Sequence, residues 1–233
     1  KTSASYVTLA NRGQLMFWQN AYKGFDRKLR EAAFVGAVLD YDGTIVDART
    51  RAAPPAEDIL QALVRLIENG FTLAIATGRG KSVRESLRDA LPEVLWPSVM
   101  VGYYNGLEIA PLNDSDTPNT SAKPSRALAA IADRLRAQPE VALCAEQTDR
   151  AHQITLEPRY ALREDHLWLL AQQAILSESV GGVHVVRSSH SIDIIDAKRA
   201  KGAVVDAMRK RVGEGEILCV GDRGRWPGND HEL

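Results

Sequence analysis

Asp40-Tyr41-Asp42-Gly43-Thr44 places two carboxylates two residues apart at the end of an apolar run. In an extended chain, side chains at that spacing lean to one side. Two acids so placed repel unless a cation or a proton separates them. The pattern therefore points to a divalent-metal site or an acid/base pair, with an Asp-Gly turn after an ordinary strand as the plainer reading. Gly43 permits the chain to turn sharply away.

Two further apolar runs end in chemically useful groups. Phe71–Ala76 is followed by Thr77-Gly78-Arg79, a hydroxyl and a loop amide, and Ile217–Gly221 is followed by Asp222. Acids, a hydroxyl and an amide pocket at one rim make a magnesium and phosphate site.

These residues need a scaffold that brings strand ends together. The runs Phe34–Leu39, Phe71–Ala76 and Ile217–Gly221 are near-continuously apolar, as in a parallel sheet covered on both faces. Between the first two, Ile59, Leu60, Leu63, Leu66 and Ile67 recur at helical spacing within 54–69, and Gly70 stands as a C-terminal stop. This is a βαβ unit. A helix over 81–90, an apolar run over 99–102 and a helix over 202–212 continue the alternation. In such open sheets ligands sit beyond the carboxyl ends of the strands, where Asp40, Thr77 and Asp222 all project.

The middle of the chain reads differently. After the turn-rich stretch 113–119 we expect a helix over 124–137, strands near 141–146 and 152–157, a helix over 163–178, and strands near 183–187 and 191–195. That αββαββ order predicts a small antiparallel sheet backed by helices. The expected organisation is an N-terminal segment 1–33, either a helix packed on the core or a tether; a core split into 34–106 and 191–233; and an inserted module over 107–190.

Composition bounds the function. The chain has 233 residues, 45% hydrophobic and 25% charged, so one core plus an inserted module is affordable in size. A net charge of -1 provides no global field to recruit nucleic acid or an anionic membrane. Two cysteines, Cys144 and Cys219, exclude a disulfide framework and a cysteine zinc site and fit a reducing cytoplasm. No run reaches the roughly 18 apolar residues of a membrane span, and no signal peptide is visible. The start at Lys1 and the stop at Leu233 fit a fragment, or a chain without its tail.

With these residues in view, the chain resembles the haloacid dehalogenase (HAD) superfamily of phosphohydrolases over about 34–233. Leu39-Asp40-Tyr41-Asp42-Gly43-Thr44 resembles its first motif, Thr77-Gly78-Arg79 its second, Lys201-Gly202 its third, and Gly221-Asp222 with Asn229-Asp230 its fourth. The αββαββ insert is similar to the C2-type caps of Cof-like sugar phosphatases, trehalose- and sucrose-phosphate phosphatases and phosphomannomutases. Tyr104-Asn105-Gly106 resembles the stretch that leads into those caps. The fourth motif departs from its relatives: Arg223–Gly228 separates Asp222 from Asn229, four residues more than usual. That loop is expected either to bind a second group on the substrate or to be a surface excursion.

The resemblance implies a Rossmann-like α/β core, a parallel sheet with helices on both faces, and a Mg²⁺-dependent phosphatase of a small phosphorylated metabolite such as a sugar phosphate. Asp40 would be the nucleophile that becomes an aspartyl-phosphate, and Asp42 the general acid/base. Lys201, preferred over Lys198 because Gly202 follows it, would offset charge. Thr77 and Gly78 would hold phosphoryl oxygens, with Gly43, Thr44, Arg79 and Asn105 also on the substrate side. Mg²⁺ would be held by Asp40, the Asp42 carbonyl and Asp222, with Asn229 and Asp230 as further candidates. A phosphomutase built on the same residues, and a catalytically silent interaction module of a larger chain, are the alternatives. The scattered histidines are expected to be surface or satisfied residues. Arg159, Arg163, Arg187 and His190 stand at strand ends or helix starts of the insert, where some are expected to face the active site and read the leaving group and most to be solvated.

Overall fold

Three strands with matched registers bring the chemically active residues to one rim. In a computed structural model, which describes residues 4–47, 50, 53–159, 164–178, 182–188, 190–196 and 200–233, Phe34–Asp40 forms β1, Thr72–Ala76 forms β2 and Val99–Tyr103 forms β3. β1 and β2 are parallel with Asp40 opposite Ala76, and β2 and β3 are parallel with Ala76 opposite Gly102. Thr77 and the turn after Tyr103 therefore leave the sheet at the same end as Asp40. Glu108–Pro111 (β4) returns antiparallel on the β3 edge, and Glu216–Val220 (β9) flanks β1, giving the order β4-β3-β2-β1-β9.

Alternation along the strands decides which face each side chain covers. Ala37, Leu73, Ile75, Val99 and Val101 join one apolar cluster with Leu63, Ile67, Val83 and Leu87, from the helices α3 (Glu57–Glu68) and α4 (Lys81–Ala90). Val38, Ala74, Ala76 and Met100 join the opposite cluster with Val204, Val205 and Met208 of α8 (Gly202–Val212). The sheet is covered on both faces, which is why its strands are apolar except at their ends. Glu57 and Asp58 in the first turn of α3 suit the positive end of its dipole, and Gly70, at φ +86°, follows its end.

Between β4 and α8 the chain builds a second sheet. Its helices are α5 (Arg126–Arg136), capped by the Ser125 hydroxyl accepting from the Leu128 amide at 3.2 Å, α6 (Pro139–Cys144) and α7 (Glu164–Glu178). Its strands are Ala145–Asp149 (β5), Gln153–Pro158 (β6), Val183–Arg187 (β7) and Ile192–Asp196 (β8), all antiparallel in the order β5-β6-β8-β7. Leu128, Ile131, Leu135, Ile154, Leu156, Leu167, Val185 and Ile194 form its own core.

Three expectations change. Of the strand expected near 141–146, residues 141–144 are helical, because Pro139 starts a helix at the position where its missing N–H costs nothing, and the strand begins at Ala145. Residues 108–111 belong to the first sheet, so the module does not begin at 107. Ile192–Asp196 pairs with β6 and β7, so the chain re-enters the core after 196 rather than at 191.

The N-terminal residues, through Phe34, form a separate compact unit, and Val35–Leu233 form the other. The first unit holds α1 (Tyr6–Asn11) and α2 (Leu15–Glu31), and neither helix has a buried residue. Among the described residues, no helix is long and apolar enough to cross a membrane.

Candidate active site

Asp40, the last residue of β1, is buried, and its carboxylate accepts from Lys201 Nζ through Oδ1 and from the Thr44 hydroxyl through Oδ2 at 3.3 Å. Lys201 is fully buried at the start of α8 and donates again to Asp230 Oδ1 at 2.6 Å. Burial pushes Asp40 up to about 6, with Lys201 opposing the rise and Asp230 and Asp222 adding to it. Burial also works to lower Lys201, but Asp40 and Asp230 outweigh it and the amine stays above its ordinary value. The ammonium is therefore charged at neutral pH. The preferred lysine is in place; Lys198 lies outside the described residues.

Asp222 follows β9 through Gly221 and meets the pair from the side. Carboxylate oxygens of Asp40, Asp222 and Asp230 all lie within 4.8 Å of one another. Burial, then the proximity of Asp230, raises Asp222 as well. Asp40 and Asp230 hold the ammonium, Asp222 stands beside them with Arg223 Nε at 3.8 Å, and the three carboxylates together form a set of hard oxygen donors. That donor set fits a divalent cation such as Mg²⁺. Gly43 makes the approach possible: at φ +92°, a Cβ there would stand 2.5 Å from Asp222 Oδ2.

Asp42 takes a different partner. Arg79 donates from Nε to Asp42 Oδ2 at 2.8 Å and from Nη2 to Oδ1, a two-pronged contact. The same guanidinium stands 5.2 Å from the centre of the Tyr41 ring, and the Tyr41 hydroxyl is hydrogen bonded to Ser86 at 2.8 Å. The Asp42 side chain thus lies outside the three-acid cluster, held towards Arg79.

Thr77 is buried, and its hydroxyl accepts from the Arg79 amide at 3.0 Å. Its carbonyl accepts from the Asn105 amide at 2.7 Å, and Asn105 holds a left-handed conformation at φ 58°. The Asn105 side chain reaches across to the inserted module, donating to Gln153 Oε1 at 3.1 Å. Asn229 and Asp230 do return to the site despite the lengthened loop. With the Asn229 amide oriented so that donors meet acceptors, its nitrogen donates to the Arg187 carbonyl and its oxygen accepts from Lys201 Nζ, both at 3.2 Å.

A cavity of about 300 Å³ opens over this rim. Asp40, Asp42, Gly78, Arg79, Asp222 and Asn229 line it from the core side. Arg150, Gln153, Thr155, Glu157, Ser188, His190, Ser191 and Asp193 line it from the inserted module. Thr77, Asn105, Lys201 and Asp230 are buried and do not line it, nor do Gly43, which is exposed, and Thr44. His190, one of the insert residues expected to face the site, does line the cavity; Arg163 lies outside the described residues.

Apart from His190, the module side was not identified from sequence, although a signal existed. Gln153, Thr155 and Glu157 alternate with Ile154 and Leu156 on β6, and Ser191 and Asp193 alternate with Ile192 and Ile194 beside and on β8. One face of each is polar because it faces the cavity. Asp193 is the most unusual member: its carboxyl is buried, accepts from the Ser191 hydroxyl at 3.3 Å, and is pushed up to about 6, chiefly by burial.

Comparisons with known proteins were consistent with this geometry. A family model for haloacid dehalogenase-like hydrolases matches residues 37–173. A curated relative, a D-inositol 3-phosphate glycosyltransferase of Rhodococcus erythropolis, is 25% identical over 167 residues, covering 71% of this chain. The chain spans only 32% of that relative's length. Among solved structures, a Plasmodium falciparum IMP-nucleotidase with IMP bound superposes with a TM-score of 0.62 at 11% identity, covering 85% of this chain and 62% of its own. The Synechocystis sucrose-phosphatase in complex with sucrose and phosphate has a TM-score of 0.58 at 20% identity, covering 86% and 79%. These likenesses show a shared fold.

Proposed function

The chain belongs to the haloacid dehalogenase-like hydrolases, and from that premise we propose that it is a Mg²⁺-dependent phosphatase of a small phosphorylated metabolite such as a sugar phosphate. The observation that carries the reading is the buried Lys201 held between Asp40 and Asp230 at the strand rim, with Asp222 beside them and a polar cavity above. A structural role alone gives no reason to gather three repelling acids under a cavity.

In this reading an Asp40 oxygen attacks phosphorus in line, the bond to the leaving oxygen breaks, and an aspartyl-phosphate forms. An anionic phosphoryl group arriving at the rim competes for Arg79 and frees Asp42, which takes a proton from solvent water and then gives it to the leaving oxygen. Asp42 then takes a proton from the water that cleaves the aspartyl-phosphate, which releases phosphate and regenerates Asp40. Lys201 offsets charge on Asp40 throughout, and the Gly78 amide and the Thr77 hydroxyl hold phosphoryl oxygens. Asp40, Asp222, Asp230 and the Asp42 carbonyl would hold Mg²⁺, which supplies charge compensation between an anionic nucleophile and a phosphate ester.

The inserted module acts as a C2-type cap. Its polar wall, with Gln153, Thr155, Ser191 and Asp193 opposite the rim, suits a hydroxyl-rich leaving group, and closing it excludes water. A cytoplasmic setting belongs to the same reading, since Cys144 and Cys219 are free thiols.

The test is phosphate release from a panel of sugar phosphates, nucleotides and an aryl phosphate, with Mg²⁺ and with chelator, wild type beside Asp40→Asn. Chelator-sensitive release that Asp40→Asn abolishes while remaining folded is the expected result. Mg²⁺-dependent release retained in Asp40→Asn would refute the aspartyl-phosphate route.

A further inference from the structure

The excursion Arg223–Gly228 does not simply bulge into solvent. Its tip carries Trp226, whose ring meets the ring of Trp168 on α7 edge-on, with centroids 6.1 Å apart and planes at 88°. Trp168 is covered on another side by the Arg187 guanidinium, 5.4 Å from its ring centre, and Arg187 is itself anchored to Asp165 at 2.7 Å. One loop of the core is thereby stacked on a helix of the inserted module.

Backbone pairing runs alongside the stacking. The Arg187 amide, at the end of β7, donates to the Pro227 carbonyl at 2.9 Å, and the Asn229 amide donates back to the Arg187 carbonyl at 2.8 Å. This is an isolated parallel bridge between Arg187 and Gly228. The loop closes on itself just before, with the Gly228 amide donating to the Arg225 carbonyl at 2.8 Å. A Cβ at Gly228 would stand 2.0 Å from the Arg223 carbonyl oxygen, so the closure is available only to glycine.

The return limb of this loop is Asn229 and Asp230. Asn229 bridges Arg187 to Lys201 through its side chain, and Asp230 accepts from Lys201 Nζ through Oδ1 and from the Arg223 amide through Oδ2 at 2.9 Å. The path from the inserted module to the buried lysine is therefore short and continuous: Trp168 and Arg187, then Trp226 and Gly228, then Asn229 and Asp230.

We propose that Arg223–Gly228 is a clasp, with Trp226 and Arg187 as positioning residues that tie the seating of the inserted module to the placement of Asn229 and Asp230 on Lys201. The clasp rests on the hydrolase reading only for its consequence in turnover. Its existence can be read without any substrate.

Trp226→Ala is the variant of choice, because the side chain is 63% exposed and no core depends on it. Amide hydrogen exchange followed by NMR is expected to quicken at Arg187 and Asn229 by ~2- to 10-fold, the factor one edge-to-face aromatic pair is worth. Leu156, in the core of the module, is expected to keep its protection, and Trp226→Phe to restore the wild-type rates. Where the substrate panel yields turnover, kcat of Trp226→Ala falls by ~2- to 10-fold while KM holds, as expected for a misplaced group that does not bind the leaving group.

Unchanged exchange at Arg187 and Asn229 would overturn the clasp. So would an equal rise at Leu156, which would mean general loosening, or an unchanged kcat in a variant whose exchange has quickened. Exchange is readable in a protein that hydrolyses nothing, so failure of the clasp and failure of the hydrolase reading are distinguishable.

Discussion

Arg79 grips both carboxylate oxygens of Asp42, two residues after the nucleophile candidate, while Asp42 stays out of the acid cluster that Asp40, Asp222 and Asp230 form. The first motif therefore splits its two acids between two environments. One is buried beside a lysine and available to a metal; the other is steered by an arginine at the mouth of the cavity.

Arg79→Lys tests that division. A lysine cannot form the planar two-pronged contact, so Asp42 loses its fixed direction even though the charge is conserved. Turnover is expected to fall by ~10-fold, and by ~100-fold in Arg79→Ala, in the range general acid/base groups contribute. The pair is largely shielded from solvent, so breaking it also costs some stability, and the folding control is read beside turnover. Steady-state kinetics with a far-ultraviolet circular dichroism control decide it, and full turnover in Arg79→Lys would remove Arg79 from the machinery.

Lys201→Met is the complementary test inside the core. It keeps the length of the side chain and removes the charge that sits between Asp40 and Asp230. Leaving buried acids without their cation is expected to cost ~3–5 kcal/mol, read by urea denaturation at pH 8. The loss should shrink below about pH 6, where Asp40 is neutralised by a proton instead. A variant as stable as wild type at pH 8 would mean that the acids are not buried against the lysine.

The rim of the core was legible because its residues stand next to one another in sequence: Asp40 and Asp42, Thr77 to Arg79, and Lys201 with Gly202 each sit where an apolar run or a helix begins or ends. Sheet topology then brings the runs together, and the βαβ pattern specifies it. The wall of the inserted module was not legible in the same way. Gln153, Thr155 and Asp193 are single polar residues in alternation, and alternation alone does not say whether a polar face meets solvent or a cavity. The helix at Pro139–Cys144 was hidden by its apolar Val141, Leu143 and Cys144, which read equally as a strand. The clasp had no local signature either, since Trp226 gains its partner only from α7, far away in sequence.

Metal binding can be tested apart from turnover. If Asp40, Asp222 and Asp230 hold Mg²⁺, adding it at a hundred times its dissociation constant stabilises the fold by ~2.7 kcal/mol, seen as a rise in Tm. Asp222→Asn is expected to remove most of that rise while barely changing Tm in chelator. Gly43→Ala should also weaken the rise, and lower Tm in chelator as well, because its new Cβ would collide with Asp222 Oδ2 and the positive φ disfavours alanine. A Mg²⁺ response that survives both substitutions would place the ion elsewhere.

Asp193 gives the pH-dependent prediction. Its carboxyl is fully buried on β8 with Thr155, Ser191, Asn105 and Arg150 around it, and burial outweighs their favourable contacts to raise it from 3.8 to about 6. A carboxyl that binds its proton more tightly in the folded chain than in the unfolded one makes the fold lose stability as pH rises between those two values. Below about 4 both states are protonated and the effect is absent; above about 6 it is complete, at most ~3 kcal/mol for a shift of this size. Asp193→Asn removes the titration while keeping the shape and part of the hydrogen bonding. Its Tm relative to wild type is therefore expected to be higher at pH 8 than at pH 4, with the difference opening across pH 4–6. A difference that stays flat between pH 4 and pH 8 would show that Asp193 ionises in the folded chain as readily as in the unfolded one, and that its partners fully offset its burial.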